Sequence, residues 1–80
     1  MKLNPIASNM TEVEVGNKKV LFSYKTPVAY VSYEDEKCCF FRTSKYWSAT
    51  TSRHINKWLR SFSNAIAREI DQEILDGLVK

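Results

Sequence analysis

Eighty residues, 44% of them hydrophobic and 12% aromatic, make one small domain and argue against disorder. The formal net charge of +3 is mild, and no apolar run is long enough to span a membrane. Two adjacent cysteines, Cys38 and Cys39, give no disulfide framework, and with the single His54 they give no metal-ligand spacing. Free thiols and the absence of a signal peptide in Met1-Lys-Leu-Asn-Pro-Ile-Ala suggest the cytoplasm.

Residues 1–10 read as a flexible or packing arm, because Asn4-Pro5 and Ser8-Asn9 interrupt regular structure. Thr11 to Val15 alternates, with Val13 and Val15 opposite Glu12 and Glu14, as a short half-buried strand does. Gly16-Asn17 is a hairpin signal, since both residues accept positive φ. The return strand is Lys19 to Tyr24, ended by Thr26-Pro27. A third strand runs from Val28 to Tyr33, a polar turn spans Glu34 to Lys37, and Cys38 to Thr43 forms a fourth strand.

Helix is expected from about Ser52, with Thr50, Thr51 or Ser52 as the N-cap. Ile55, Leu59, Phe62 and Ile66 recur at helical spacing beside Trp58 and Ala65, while Arg53, Lys57, Arg60, Asn64 and Arg68 fall on another face. The pattern predicts one long amphipathic helix and, after a break near Asp71, a short C-terminal helix.

The expected fold is therefore α+β, a single domain over residues 1–80 with a four-stranded antiparallel meander followed by two helices. Tyr24, Phe22 and Tyr30 cannot all share a sheet face with Leu21, Val31 and Phe41, so both faces are apolar. A second cover is needed, most simply another copy, which predicts a homo-oligomer, a dimer or larger.

No glycine-rich phosphate loop exists, as the only glycines are Gly16 and Gly77. Cys38 or Cys39 with His54 would make a nucleophile–base pair, but both cysteines lie in an apolar strand, where cysteine normally acts as a small hydrophobe. The reading is of a non-enzyme with no cofactor and no metal. Charge is more telling. From Arg42 to Arg68 there is no Asp or Glu, while Glu69, Asp71, Glu73 and Asp76 make the tail acidic.

A helix N-terminus carries unpaired N–H groups and a partial positive charge, and so attracts anions. Thr50, Thr51, Ser52, Arg53 and His54 surround this one, with Lys57 one turn on, and Tyr46 and Trp47 precede it as rings able to stack on a base. The same residues also fit a well-capped helix.

Thr26-Pro27-Val28-Ala29, Tyr46-Trp47-Ser48 and the string Thr50-Thr51-Ser52-Arg53-His54-Ile55-Asn56-Lys57-Trp58-Leu59 resemble a group of short, functionally uncharacterised proteins of tailed bacteriophages and prophages. The resemblance runs from about Met10 to Leu78. It implies a phage accessory protein in the host cytoplasm, acting on host machinery or defence. The first functional expectation is binding of a phosphate-bearing small ligand, such as a nucleotide immune signal sequestered from the host. The alternatives are nucleic-acid binding along Arg53, Lys57, Arg60 and Arg68, and inhibition of a host enzyme by protein contact.

Overall fold

The computed structural model describes residues 2–7, 9–34, 37–62 and 66–79, with the backbone alone at residues 2, 34, 37 and 38. Five strands precede the first helix: β1 (Lys2–Ala7), β2 (Met10–Val15), β3 (Lys18–Ser23), β4 (Thr26–Glu34) and β5 (Lys37–Thr43). Then come α1 (Ala49–Arg60), β6 (Ala67–Ile70) and α2 (Gln72–Leu78). The strands form one sheet in the order β1-β2-β3-β4-β5-β6, with every neighbouring pair antiparallel except β5 and β6.

The class is α+β, as expected, but the meander is larger than four strands and the sheet is mixed. The expected arm is largely strand: β1 pairs with β2 from Lys2↔Glu14 to Ala7↔Met10, with an irregularity between Pro5 and Ala7. Proline is tolerated here because β1 lies at the sheet edge, where one side of the strand needs no partner. The Gly16-Asn17 turn joins β2 to β3, with Gly16 at φ 60.

The next turn is Tyr24-Lys25. Thr26-Pro27 opens β4 instead of breaking the chain, and Pro27 pairs with Phe22 at a register shift. Tyr24 itself adopts φ 59, a left-handed conformation unusual for a bulky residue, and its N–H donates to the Asn9 carbonyl at 2.8 Å. The expected polar turn after β4 includes residues 35 and 36, outside the described residues.

The expected long helix is two elements. α1 ends at Arg60. Ser61 caps it, its N–H reaching the carbonyls of Lys57 and Trp58 and its hydroxyl donating to the Trp58 carbonyl at 2.5 Å. The chain then returns as β6, parallel to β5 from Phe40↔Ala67 to Thr43↔Ile70. Ile66, assigned by periodicity to the buried stripe, is 92% exposed, and Arg68 leaves the helical cation row for the sheet edge. Helical propensity in Ala67-Arg-Glu-Ile yields here to pairing with a ready-made strand edge. Asn64 and Ala65 lie outside the described residues. α2 starts where expected, with Asp71 at the N-cap position and Leu75 buried.

Alternation sends the two sheet faces to two helices. Met10, Leu21, Val28, Ala29 and Val31 pack with Ile55, Trp58 and Leu59 of α1, with Phe40, Phe62 and Ala67 beside them. Phe40, Trp58 and Phe62 meet edge-on, with centroids 5.1–6.1 Å apart. Glu12 faces the same helix. Its Oε2 accepts from Trp58 Nε1 at 2.9 Å, and Lys19 Nζ stands 3.9 Å from Oε1, so a nearly buried carboxylate is paired.

By register, Val13, Val20 and Phe22 point to the other face. There α2 supplies a cover from the chain itself, held by Gln72 Nε2 donating to the Pro27 carbonyl at 2.7 Å. The cover is incomplete: a groove of about 360 Å³ remains, lined by Leu3, Thr11, Val13, Phe22, Tyr24, Lys25 and Val79. The apolar face for which a second copy is expected is thus covered in part by the seven residues of α2.

Candidate functional site

α1 carries two chemistries on two sides. Its N-cap is Ser48, earlier than the hydroxyls favoured by the sequence: Ser48 Oγ accepts from Thr51 N–H at 3.1 Å. A side-chain chain extends inward from this cap. Ser48 Oγ donates to Thr51 Oγ1 at 3.3 Å, Thr51 Oγ1 and Ser23 Oγ share a hydrogen bond at 3.1 Å, and Ser23 Oγ lies 2.7 Å from His54 Nδ1. The Tyr24 ring sits 5.9 Å from the His54 ring, tilted by 46°. The network ties the end of β3 to the first turns of α1.

This arrangement decides the role of several expected ligands. Thr51 is 6% exposed and its hydroxyl is engaged inside the protein. His54 is half-buried with Nδ1 committed to Ser23. A serine 2.7 Å from an imidazole has nucleophile–base geometry, but Ser23 is only 2% exposed, and its oxygen is also engaged by Thr51 Oγ1. Cys39 pairs with Ser32, on the strand face opposite Phe40 and Val31, and so points away from α1 and His54; it is an exposed free thiol. Among the described residues, no group of three or more His, Cys, Asp or Glu is placed to hold a metal ion.

The outer side of α1 is different. Thr50, Arg53, Asn56, Lys57 and Arg60 are all exposed, and Ser52 is half-buried. Arg53, Lys57 and Arg60 recur at one-turn intervals along roughly 10 Å of helix. Among the described residues none of them forms an ion pair, and the first turn of α1 contains no acidic residue. The N–H groups of Ala49 and Thr50 belong to the unpaired first turn, since the cap takes only that of Thr51.

The loop leading into this helix adds aromatic surface. Trp47 is 40% exposed. Its Nε1 donates to Gln72 Oε1 at 3.1 Å, and Lys45 Nζ lies 4.1 Å from the centre of its ring. Tyr46 is 72% exposed. Of the eight candidate ligands, Tyr46, Thr50, Arg53 and Lys57 therefore remain on open surface. Thr51 and His54 turn inward, Trp47 is tied to α2, and Ser52 lies between.

Sequence reading missed Ser23, Tyr24, Ser48 and Gln72. Ser48 had a local signal, a hydroxyl three residues before Thr51 at the start of a helical run. Ser23 had none, because its partners stand 28 and 31 residues away.

Fold and site define a small α+β protein with one helix on each sheet face and a cationic outer surface on the larger helix. The chain belongs to a family described as a family of unknown function (DUF8033), matched over residues 1–77. No curated protein and no solved structure matches it. Among the described residues, no helix is long and apolar enough to cross a membrane.

Proposed function

We propose that the protein binds nucleic acid through the outer side of α1, with Arg53, Lys57 and Arg60 on consecutive phosphates and Lys45 at the entrance to the helix. The observation that carries this reading is the row of exposed cations without a carboxylate partner among the described residues. Cations left unpaired along an open helix face suit an extended polyanion, whose binding is driven by counterion release. A compact nucleotide pocket would need its polar groups converging on a cavity, and here Thr51 and half of His54 are spent on the cap network.

A phosphate-bearing small ligand is the second reading, favoured by the amides of Ala49 and Thr50 on an exposed first turn free of acid. In the phage setting that the resemblance implies, this version sequesters a host nucleotide signal, and a second copy would complete the pocket.

Fluorescence-anisotropy titration of labelled oligonucleotides across a salt series tests the first reading. Affinity should fall steeply with salt, and each of Arg53→Ala, Lys57→Ala and Arg60→Ala should reduce the slope of log K against log salt by about one. Arg68→Ala, on β6, should leave it nearly unchanged. Binding that ignores salt, or a triple variant at the three helix positions that binds like the parent chain, would refute the reading. Tight binding of a mononucleotide or cyclic nucleotide with no response to polymer would establish the second instead.

A further inference from the structure

Resting on the nucleic-acid reading, we infer that the strand bound is single, and that Tyr46 is the platform on which an unpaired base stacks. The loop between β5 and α1 is held along most of its length. Ser44 N–H donates to the Ile70 carbonyl at 2.8 Å, and Lys45 N–H donates to Thr43 Oγ1 at 3.1 Å. Trp47 is fixed by Gln72 on its indole nitrogen and by the Lys45 ammonium over its ring. Ser48 is fixed as the helix cap.

Four of the five loop residues are thus tied down. Tyr46 has no described partner and carries its ring 72% exposed. A single exposed aromatic is ordinary on a protein surface. This one is displayed by a fixed backbone, beside Lys45, at the end of a helix whose next turns present Arg53, Lys57 and Arg60. Fixing the loop beforehand lowers the ordering cost of a contact made there.

Aromatic faces recognise bases only when the bases are unstacked, whereas duplex offers its phosphates and hides its base faces. A ring two residues before the cap of a helix that carries a phosphate-binding row is therefore idle on duplex and useful on a single strand. Trp47 is not equivalent. Its ring already carries a cation and its nitrogen is bonded to Gln72, so it serves as the post that holds the loop.

The test compares an oligothymidylate with a mixed-sequence duplex of equal length, at one salt concentration, by fluorescence anisotropy. The parent chain should prefer the single strand. Tyr46→Ala should weaken single-strand binding about tenfold, an ordinary effect for one stacked base, while leaving duplex binding and the thermal midpoint unchanged. Tyr46→Phe should retain binding, because the π-face is kept.

Equal or tighter binding of duplex, or a Tyr46→Ala variant that loses nothing or loses equally on both polymers, would overturn the inference while leaving a nucleic-acid binder. Failure of both polymers to bind would remove the underlying reading as well.

Discussion

The two sides of α1 use similar residue types for opposite ends. On the inner side, Ser48, Thr51 and Ser23 bond to one another in a chain that ends on Nδ1 of His54, and Trp58 spends its N–H on Glu12. On the outer side, Thr50, Arg53, Lys57 and Arg60 have no comparable partner among the described residues. A polar side chain beneath a helix must be satisfied by the protein, whereas one above it is satisfied by water and stays available to a ligand. Proximity in sequence therefore says little about shared role: Thr50 and Thr51 are neighbours on opposite sides of this division.

The sharpest way to separate the two sides is Trp58→Ala. It opens a cavity in the α1 core and takes the indole donor from the Glu12 carboxylate, leaving it Lys19 at 3.9 Å, at a cost of roughly 3–5 kcal/mol. Urea denaturation should show a large loss or outright unfolding. A change below about 1 kcal/mol would mean that α1 does not depend on this ring. Ser23→Ala is the intermediate case. It leaves buried Thr51 and half-buried His54 each short of a partner, for about 1–3 kcal/mol, while oligonucleotide affinity at a temperature where the variant is folded should stay as it was. A loss of binding by the folded variant would show that the inner network serves the outer face. Smallest in stability terms is Arg53→Ala combined with Lys57→Ala and Arg60→Ala. Exposed positions without partners should move the unfolding free energy by no more than about 0.5 kcal/mol each, although binding should collapse. A marked destabilisation would show that these cations support the fold and are not held in reserve for a ligand.

What the sequence revealed follows the range of the interactions. The Gly16-Asn17 hairpin and the inward stripe of Ile55, Leu59 and Phe62, with Trp58 beside it, are set by local backbone preference and by period and are present, whereas Ile66, expected at the end of that stripe, is exposed. The α2 start at Asp71 was equally local. The edges were hidden. Asn4-Pro5 looks like a breaker unless the strand is known to be terminal in the sheet. Ala67 to Ile70 looks helical unless a neighbouring edge is known to be open. The candidate site was half legible: the cationic outer row could be read from spacing, but the division between Thr50 outside and Thr51 inside depends on Ser23, which only the fold brings near.

The parallel pairing of β5 with β6 carries a consequence for the order of assembly. The strand pairs β2–β3 and β3–β4 close across two-residue turns, so these contacts form between near neighbours in the chain at small entropic cost. β6 cannot join until the whole run from Ser44 to Ile66 has crossed over the sheet. That crossing is held by α1 on its Trp58 side, so docking of the helix and addition of the last strand are coupled events. The antiparallel part of the sheet should become protected from hydrogen exchange first, with β6 and the α2 that follows it completing the molecule and opening most readily.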